Sequence, residues 1–145
     1  ALSFFTILVA FVQYATILFY GKLPTAIPVS VSWQIAGIAI SLTGLMIFVS
    51  ALITMRDSWR AGIDATQDTV LKTDGGYRFS RNPAFVGFDL FYIGICIMFP
   101  DTVLIAITVI TIILFHLQIL EEENFLISFF GDDYIGYKKK VRRYF

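Results

Sequence analysis

The residues best suited to chemistry begin with a basic segment, RFSRNPAFVGFD, which runs from Arg78 to Asp89. Arg78 and Arg81 are permanent cations, and an arginine can hold a carboxylate through two parallel hydrogen bonds. Asn82 can cap a helix or bond a ligand, and Pro83 suits the first turn of a helix, whose free N–H groups favour an anion. The segment therefore predicts either a site for an anionic ligand group or a basic loop on lipid headgroups, and we weigh the two equally.

A second polar group lies in the segment HLQILEEEN. At helical spacing, Gln118 and Glu122 share one face. His116 and Glu123 share another. Carboxylates here can bind an ammonium group, orient a hydroxyl or accept a proton. The alternative is the ordinary polarity of a helix end, although three glutamates at a helix C-terminus would oppose the helix dipole unless the helix continues through them.

Asp89 is a third candidate because it interrupts an apolar segment. If a helix begins near Pro83, Asp89 lies roughly 9 Å along it, at 1.5 Å per residue. A carboxylate inside a membrane usually faces a cavity or a partner. Arg56, Arg78 and Arg81 are the available partners, and we slightly favour a structural ion pair over a functional role.

The composition that surrounds these residues indicates a membrane protein. Of 145 residues, 57% are hydrophobic and 15% are charged, and the mean hydropathy is +0.76. A soluble domain of this size needs more charge on its surface. The formal net charge is zero, which suggests neither nucleic acid nor an acidic partner. Cys96 stands alone in an apolar run and is expected to be a small buried hydrophobe, and no cluster of cysteines and histidines predicts a metal site.

Four apolar segments are each about long enough to span a membrane, the third being marginal. They predict a single all-α, polytopic membrane domain with spans near residues 2–20, 33–54, 83–99 and 102–120, a cytoplasmic loop at 55–82 and a cytoplasmic tail at 121–145. Only Pro100 and Asp101 separate the third and fourth segments, so these are expected to form an antiparallel hairpin. The 55–82 loop also carries apolar side chains and is expected to fold against the membrane surface.

The tail predicts an amphipathic, basic helix at the membrane interface. Gly131 suits the end of one helix, and Asp132 or Asp133 suits the cap of the next. Apolar side chains then recur at helical spacing with basic residues between them, which is typical of membrane anchoring. This stripe consists of Tyr134, Tyr137, Val141 and Tyr144.

The basic residues set the expected orientation. All lysines and arginines lie in the 55–82 loop and the tail except Lys22, which lies in the first loop. The positive-inside rule therefore places that loop and the tail in the cytoplasm, and an even number of spans places the N-terminus there too. The expected location is a bacterial or archaeal inner membrane. The hairpin would bring the SRNP loop and the glutamate run to one membrane face, where cations and carboxylates together suit a zwitterionic ligand such as the amino-acid end of a cofactor.

Three segments resemble the isoprenylcysteine carboxyl methyltransferase family: MRDSWRAGI, LKTDGGYRFSRNPAFVGF and EEENFLISFFGDDYIGYKKKVRR. This superfamily of small integral-membrane methyltransferases includes phospholipid N-methyltransferases. Its pattern is roughly Gly-Pro-Tyr, a short gap and Arg-His-Pro-x-Tyr-x-Gly, followed later by Glu-Glu-x-x-Leu, Phe-Gly, Tyr and Tyr. The resemblance runs from Met55 to the C-terminus, and two such motifs in this order around a helical hairpin are a fairly specific signal.

The resemblance implies that S-adenosylmethionine is the methyl donor and that a lipophilic or lipidated acceptor enters from the bilayer. The methyl group would be displaced directly, with much of the rate coming from orientation. Arg81 and Glu122 would be catalytic, because Arg81 could position a carboxylate acceptor and Glu122 could take the proton of an amine acceptor. The residues that would bind the cofactor are Tyr77, Arg81, Asn82, Pro83, Phe85, Gly87, His116, Gln118, Glu122 and Glu123.

The chain departs from the family pattern at several of these positions. Asn82 replaces the usual histidine and cannot titrate, although it still donates and accepts hydrogen bonds. Phe85 replaces a tyrosine and lacks the hydroxyl. Gln118 stands where the family often has an arginine, so a catalytic charge would have to come from Arg81 or His116.

Two other functions stay open at this point. An NADPH-dependent membrane reductase of the sterol-reductase type shares a related C-terminal module, but the chain is short for that class. A small transporter or a non-enzymatic membrane subunit would more often place charge near the midplane of its helices, whereas here only Asp89 lies within a predicted span. Binding of S-adenosylmethionine or of NADPH would discriminate between these functions.

Overall fold

A computed structural model describes residues 2–22, 24–55 and 70–145. This part of the chain is helical, as predicted. The helices are α1 (Leu2–Phe19), α2 (Val31–Met55), α3 (Pro83–Met98), α4 (Thr102–Phe130) and α5 (Asp132–Lys140), with short 3-10 turns at Tyr20–Lys22 and Gly75–Arg78. The predicted surface fold of residues 56–69, and with it Arg56 as a partner of Asp89, lies outside the described residues.

Two of the helices, α2 and α4, are long and apolar enough to cross a membrane. Helix α3 is also apolar but has only 16 residues. Both long helices expose large apolar side chains, among them Ile35 and Met46 on α2 and Val109 and Ile113 on α4. The core helix of a soluble protein would bury such side chains, so this exposure favours lipid as the surrounding medium. We conclude that the chain is a membrane protein.

Glycines allow the backbones of α2 and α3 to approach closely. A Cβ atom built on Gly87 would lie 2.7 Å from the carbonyl oxygen of Gly44, and one built on Gly44 would lie 2.6 Å from that of Gly87. Gly37 and Gly94 face each other in the same way. Small residues at such contacts are typical of helix pairs in membranes. Gly87 therefore serves helix packing, whereas the family resemblance had placed it in the cofactor loop.

Helix α3 meets α4 through aromatic rings that surround Phe115. The ring centroids of Phe85 and Tyr92 lie 5.6 Å and 6.2 Å from that of Phe115. One turn beyond Tyr92, the partly buried Cys96 thiol lies 3.0 Å from the hydroxyl of Thr108. Later residues of α3 thus contact earlier residues of α4.

The turn between α3 and α4 is anchored by the fully buried Asp101. Its Oδ1 atom accepts hydrogen bonds from the backbone N–H groups of Val103 (2.9 Å) and Leu104 (3.1 Å), which caps α4. Its Oδ2 atom accepts a hydrogen bond from Thr25 in the connection between α1 and α2. These bonds tie the two helical connections together at the end of the molecule away from Pro83.

Helix α4 is ten residues longer than the predicted span, which was expected to end near residue 120. It continues through the three glutamates to Phe130, and Gly131 follows with a φ of 56°. The glutamates therefore lie inside a helix and do not oppose its dipole at a C-terminus. The sequence becomes polar at residue 121, but the α-helix continues without a break to Phe130.

The tail helix packs on the protein through the residues that were predicted to anchor it in lipid. Helix α5 has only nine residues, and Tyr134 and Tyr137 on it are buried. Its N-cap is Gly131, while Asp132 and Asp133 lie in the first turn, so the predicted aspartate cap is wrong. The remaining residues of the predicted stripe, Val141 and Tyr144, follow the helix.

Candidate functional site

The centre of the site is the buried carboxylate of Glu123 on α4, whose residue is only 2% exposed. Its Oε1 atom accepts hydrogen bonds from Arg81 Nε (3.2 Å), Arg81 Nη2 (2.9 Å) and Arg143 Nε (3.1 Å). Its Oε2 atom accepts one from Arg143 Nη2 at 3.0 Å and lies 3.8 Å from Lys138 Nζ. A buried carboxylate is stable only when paired in this way. Two arginines, with Lys138 at a longer distance, therefore already compensate the charge of Glu123.

Arg81 connects three parts of the chain. It lies between the 3-10 turn and α3, and its backbone N–H donates to the carbonyl of Arg142 at 3.0 Å. Besides binding Glu123, its guanidinium donates through Nη1 to the carbonyls of Lys138 (3.1 Å) and Val141 (3.2 Å). A guanidinium has five N–H donors, so most of those on Arg81 are engaged within the protein. Arg81 therefore connects the loop before α3 to α4 and to the residues from Lys138 to Arg142.

Residues 141–145 form a C-terminal strap that crosses the start of α3. The carbonyl of Arg143 accepts hydrogen bonds from Ser80 Oγ (3.2 Å) and Asn82 Nδ2 (3.3 Å). Asn82 occupies the N-cap position of α3, but its side chain makes no capping bond and instead also reaches Glu123 Oε1 at 3.4 Å. The predicted cap is therefore replaced by a bond to the strap.

Glu122 and Gln118 form a second polar pair on the neighbouring face of α4. Gln118 Nε2 donates to Glu122 Oε1 at 3.0 Å. No described residue donates a hydrogen bond to the other oxygen of Glu122. The buried Tyr77 lies nearby, and its backbone carbonyl accepts a hydrogen bond from the Tyr137 hydroxyl at 2.6 Å. Burial, followed by the charges of Tyr137 and Glu122, raises the pKa of the Tyr77 phenol, which therefore stays neutral.

His116 is joined to the strap. Its Nδ1 atom lies 2.5 Å from the hydroxyl of Tyr144, and the two rings are stacked with centroids 6.0 Å apart. Burial, and then the negative charge of Asp89, raises the pKa of the Tyr144 phenol. The strap therefore reaches down from the Glu123 cluster to the level of His116.

Asp89 does not form the expected ion pair with Arg78 or Arg81. Arg81 is bound to Glu123, and Arg78 is exposed at the end of the 3-10 turn. The Oδ1 atom of Asp89 is buried and receives no hydrogen bond from a described residue. The expected ion pair of Asp89 is thus wrong for Arg78 and Arg81, the two candidate partners that the structure describes.

The structure divides the predicted site residues into three groups. Arg81, Asn82 and Glu123 meet directly, and Glu122, Gln118 and Tyr77 lie beside them. Pro83 begins α3 as predicted and is buried there, and Phe85 packs on Phe115. Gly87 faces α2.

Sequence reasoning missed Arg143, Tyr144 and Tyr137 as members of the site. The only available signal was their position in the third motif, where the alternation of basic and aromatic residues was interpreted as lipid anchoring. That interpretation requires an extended tail helix, whereas the helix ends at Lys140 and the strap turns back across the site.

The chain is similar to known proteins in sequence and in fold. The family model described as phospholipid methyltransferase matches residues 33–133. Among curated proteins, the chain is similar to the protein-S-isoprenylcysteine O-methyltransferases of Schizosaccharomyces pombe (38% identity over 52% of this chain and 32% of the relative), Tribolium castaneum (30%, 72% and 38%) and Mus musculus (31%, 70% and 40%). The chain thus spans only about two-fifths or less of the length of these relatives.

The fold is similar to a solved structure of the eukaryotic intramembrane Ras methyltransferase, isoprenylcysteine carboxyl methyltransferase. The TM-score is 0.76 at 24% identity, and the match covers 95% of this chain and 50% of that one. At this identity the likeness concerns the fold alone. The family match, by contrast, covers most of the chain and includes Arg81, Asn82 and Glu123. The chain therefore belongs to the phospholipid methyltransferase family.

Proposed function

We propose that this protein transfers a methyl group from S-adenosylmethionine to a lipophilic acceptor at the cytoplasmic face of a membrane. The observation that carries the proposal is the meeting of two family motifs, 42 residues apart, at the pair of Arg81 and Glu123. Membership of the phospholipid methyltransferase family supports the reaction class. The names of the curated relatives support a lipidated acceptor in particular.

The polar groups of the site fit the charges of this cofactor, which carries a carboxylate, an ammonium and a sulfonium. Glu122 and Asp89 each have an oxygen that receives no hydrogen bond from a described residue, so each can bind a cationic group. Arg143 donates to Glu123 through Nε and Nη2, which leaves its Nη1 group for an anion. When bound, the cofactor would supply an electrophilic methyl group. Tyr77, Asn82, His116 and Gln118 remain predicted contacts around it.

Glu122 is the better candidate of the two predicted catalytic residues. It is oriented by Gln118, and its other carboxylate oxygen receives no hydrogen bond from residues 2–22, 24–55 or 70–145, so we expect that oxygen to accept a hydrogen bond or a proton from an amine acceptor. Arg81 stays a predicted catalytic residue, but its engagement with Glu123 and the strap favours a positioning role. For a carboxylate acceptor no base is needed, and orientation supplies much of the rate. Either acceptor is compatible with the proposal.

We also propose that α1 to α4 span the membrane, with α3 and α4 as an antiparallel hairpin and both termini in the cytoplasm. The distribution of lysine and arginine supports this orientation. The bond between Thr25 and Asp101 lies at one end of the bundle and the Arg81–Glu123 pair lies at the other. The test introduces one cysteine at Thr25 or at Gly136 in a Cys96→Ala background. In intact vesicles, a thiol reagent that cannot cross the membrane should label the two positions from opposite sides.

Calorimetry on the detergent-purified protein tests the proposed function. S-adenosylmethionine should bind saturably, and NADPH, added in a parallel titration, should not. A transfer assay with labelled methyl donor would then compare a prenylated cysteine with a phospholipid amine as acceptor. Binding of NADPH alone would support the reductase, and binding of neither nucleotide would support a non-enzymatic membrane subunit.

A further inference from the structure

Asp89 lies on the face of α3 that packs against α4. It shares this face with Phe85, Tyr92 and Cys96, which lie four residues before it and three and seven residues after it. All three contact α4, Phe85 and Tyr92 through Phe115 and Cys96 through Thr108. The carboxylate therefore points into the helix–helix contact and not toward lipid.

The surroundings of Asp89 are aromatic. Phe85, Phe88 and Tyr92 have ring centroids 5.6–6.2 Å from that of Phe115. Tyr144 lies on the side of Asp89 that faces the strap. Its ring is stacked on His116, the residue after Phe115, and burial, followed by the charge of Asp89, raises the pKa of its phenol. Aromatic faces attract cations, and they do so more strongly away from water. A carboxylate beside aromatic rings is thus suited to a positive charge.

The protein itself supplies no such charge in its described part. The buried Oδ1 atom of Asp89 has no hydrogen-bond donor there. Arg81, Arg143 and Lys138 all pair with Glu123. A buried carboxylate oxygen without a hydrogen-bond donor is costly, and a bound cation would remove that cost.

We propose that Asp89, together with the rings of Phe85, Phe115 and Tyr144, forms a subsite that binds a positively charged group of a ligand. The inference rests on the proposed function for the identity of the ligand. Two sources have the required chemistry: the sulfonium or ammonium of the methyl donor, and the protonated amine of a lipophilic acceptor. A carboxylate would be repelled from the same position.

The test compares the wild type with Asp89→Asn, which keeps the shape of the side chain and removes its charge. Glu121→Gln is the matched control, because Glu121 is an exposed carboxylate on the adjacent helix. Calorimetry measures binding of S-adenosylmethionine and of S-adenosylhomocysteine, which lacks the sulfonium charge but keeps the ammonium. Thermal stabilisation by octylamine and by octanoate reports on an acceptor-like amine and its carboxylate counterpart. The melting temperature of each variant without ligand shows that it is folded.

Three results would support the subsite and identify the cation. Loss of affinity by about tenfold or more for S-adenosylmethionine alone would assign the sulfonium, and an equal loss for both nucleosides would assign the ammonium. Loss of stabilisation by octylamine, with both nucleosides unaffected, would assign the acceptor amine. In each case Glu121→Gln should behave as the wild type.

Two results would overturn the subsite. If Asp89→Asn binds all three cationic probes as the wild type does, the carboxylate holds no ligand cation. The subsite is also excluded if the wild type binds none of them. In the first case, wild-type binding of S-adenosylmethionine would still leave the proposed function intact, so the two failures are distinguishable.

Discussion

Arg81 and Glu123 lie 42 residues apart in the chain, yet the Nε and Nη2 groups of Arg81 donate to the same oxygen of Glu123 at 3.2 Å and 2.9 Å. Their side chains are only 7% and 3% exposed. The pair joins the loop before α3 to the C-terminal part of α4, and Arg143 adds the strap to it. The ion pairs at the centre of the site therefore also join these three parts of the fold.

Replacement of Glu123 by glutamine should destabilise the protein strongly. Two arginines would lose their carboxylate partner, and breaking a buried ion pair in this way costs about 3–5 kcal/mol. Thermal unfolding in detergent measures the effect, with Glu121→Gln as a control that should change the melting temperature little. A melting temperature of Glu123→Gln close to that of the wild type would show that the network does not stabilise the fold.

Substitution of Gly87 by alanine should loosen the contact between α2 and α3. The new Cβ atom would lie 2.7 Å from the backbone oxygen of Gly44 and 2.7 Å from the backbone nitrogen of Phe48, so the helices must separate. Overpacking of this kind costs about 1–3 kcal/mol. Gly136→Ala is the matched control, because a Cβ atom there meets nothing within 4 Å and alanine favours a helix. The prediction fails if both variants melt at the same temperature.

Tyr137 should make the stability depend on pH in the alkaline range. Burial, followed by the charge of Tyr134, raises the pKa of Tyr137 from 10.0 to about 12. The folded protein thus keeps a proton that the unfolded chain releases, so this stability is complete below pH 10.0 and is lost as the pH rises to about 12. Melting temperatures of Tyr137→Phe should fall less steeply over this range.

The same variant should be less stable at neutral pH, because it lacks the hydrogen bond to the Tyr77 carbonyl, which contributes about 1 kcal/mol. Replacement of the exposed Tyr14 by phenylalanine serves as the control. Parallel alkaline melting curves for the wild type and Tyr137→Phe would contradict the assignment of the pH dependence to this phenol.

The apolar segments predicted the helices well because the length of a hydrophobic run can be read directly from the sequence. The end of α4 was placed too early, since polarity was taken to mark the end of the helix. Polarity reports the transition from lipid to water, whereas the helix continues until Gly131, where the backbone has a φ of 56°.

The site could be predicted only as a set of segments. Glu122 and Glu123 are adjacent, and their directions differ by about 100° around a helix of 3.6 residues per turn. Only packing decides that Glu123 meets two arginines while Glu122 meets Gln118. Arg143 and Tyr144 were missed because their roles depend on the strap turning back over α3, for which no local pattern gives a signal.

The three successive glutamates offer a last and decisive comparison, because each has a different environment. Glu121 is exposed, Glu122 bonds only Gln118 among described residues, and Glu123 is buried in the charge network.

Glu122→Gln should keep the wild-type melting temperature, since no ion pair of Glu122 is present in the described part of the chain. If Glu122 accepts the proton of an amine acceptor, this variant should lose about 10²–10⁴-fold in the rate of methyl transfer. Glu121→Gln should retain both the wild-type rate of methyl transfer and the wild-type melting temperature. Glu123→Gln should mainly lower the melting temperature. Single-turnover transfer with labelled methyl donor, measured beside thermal unfolding, separates the three variants. A Glu122→Gln variant that transfers methyl groups to an amine at the wild-type rate would exclude Glu122 as the base.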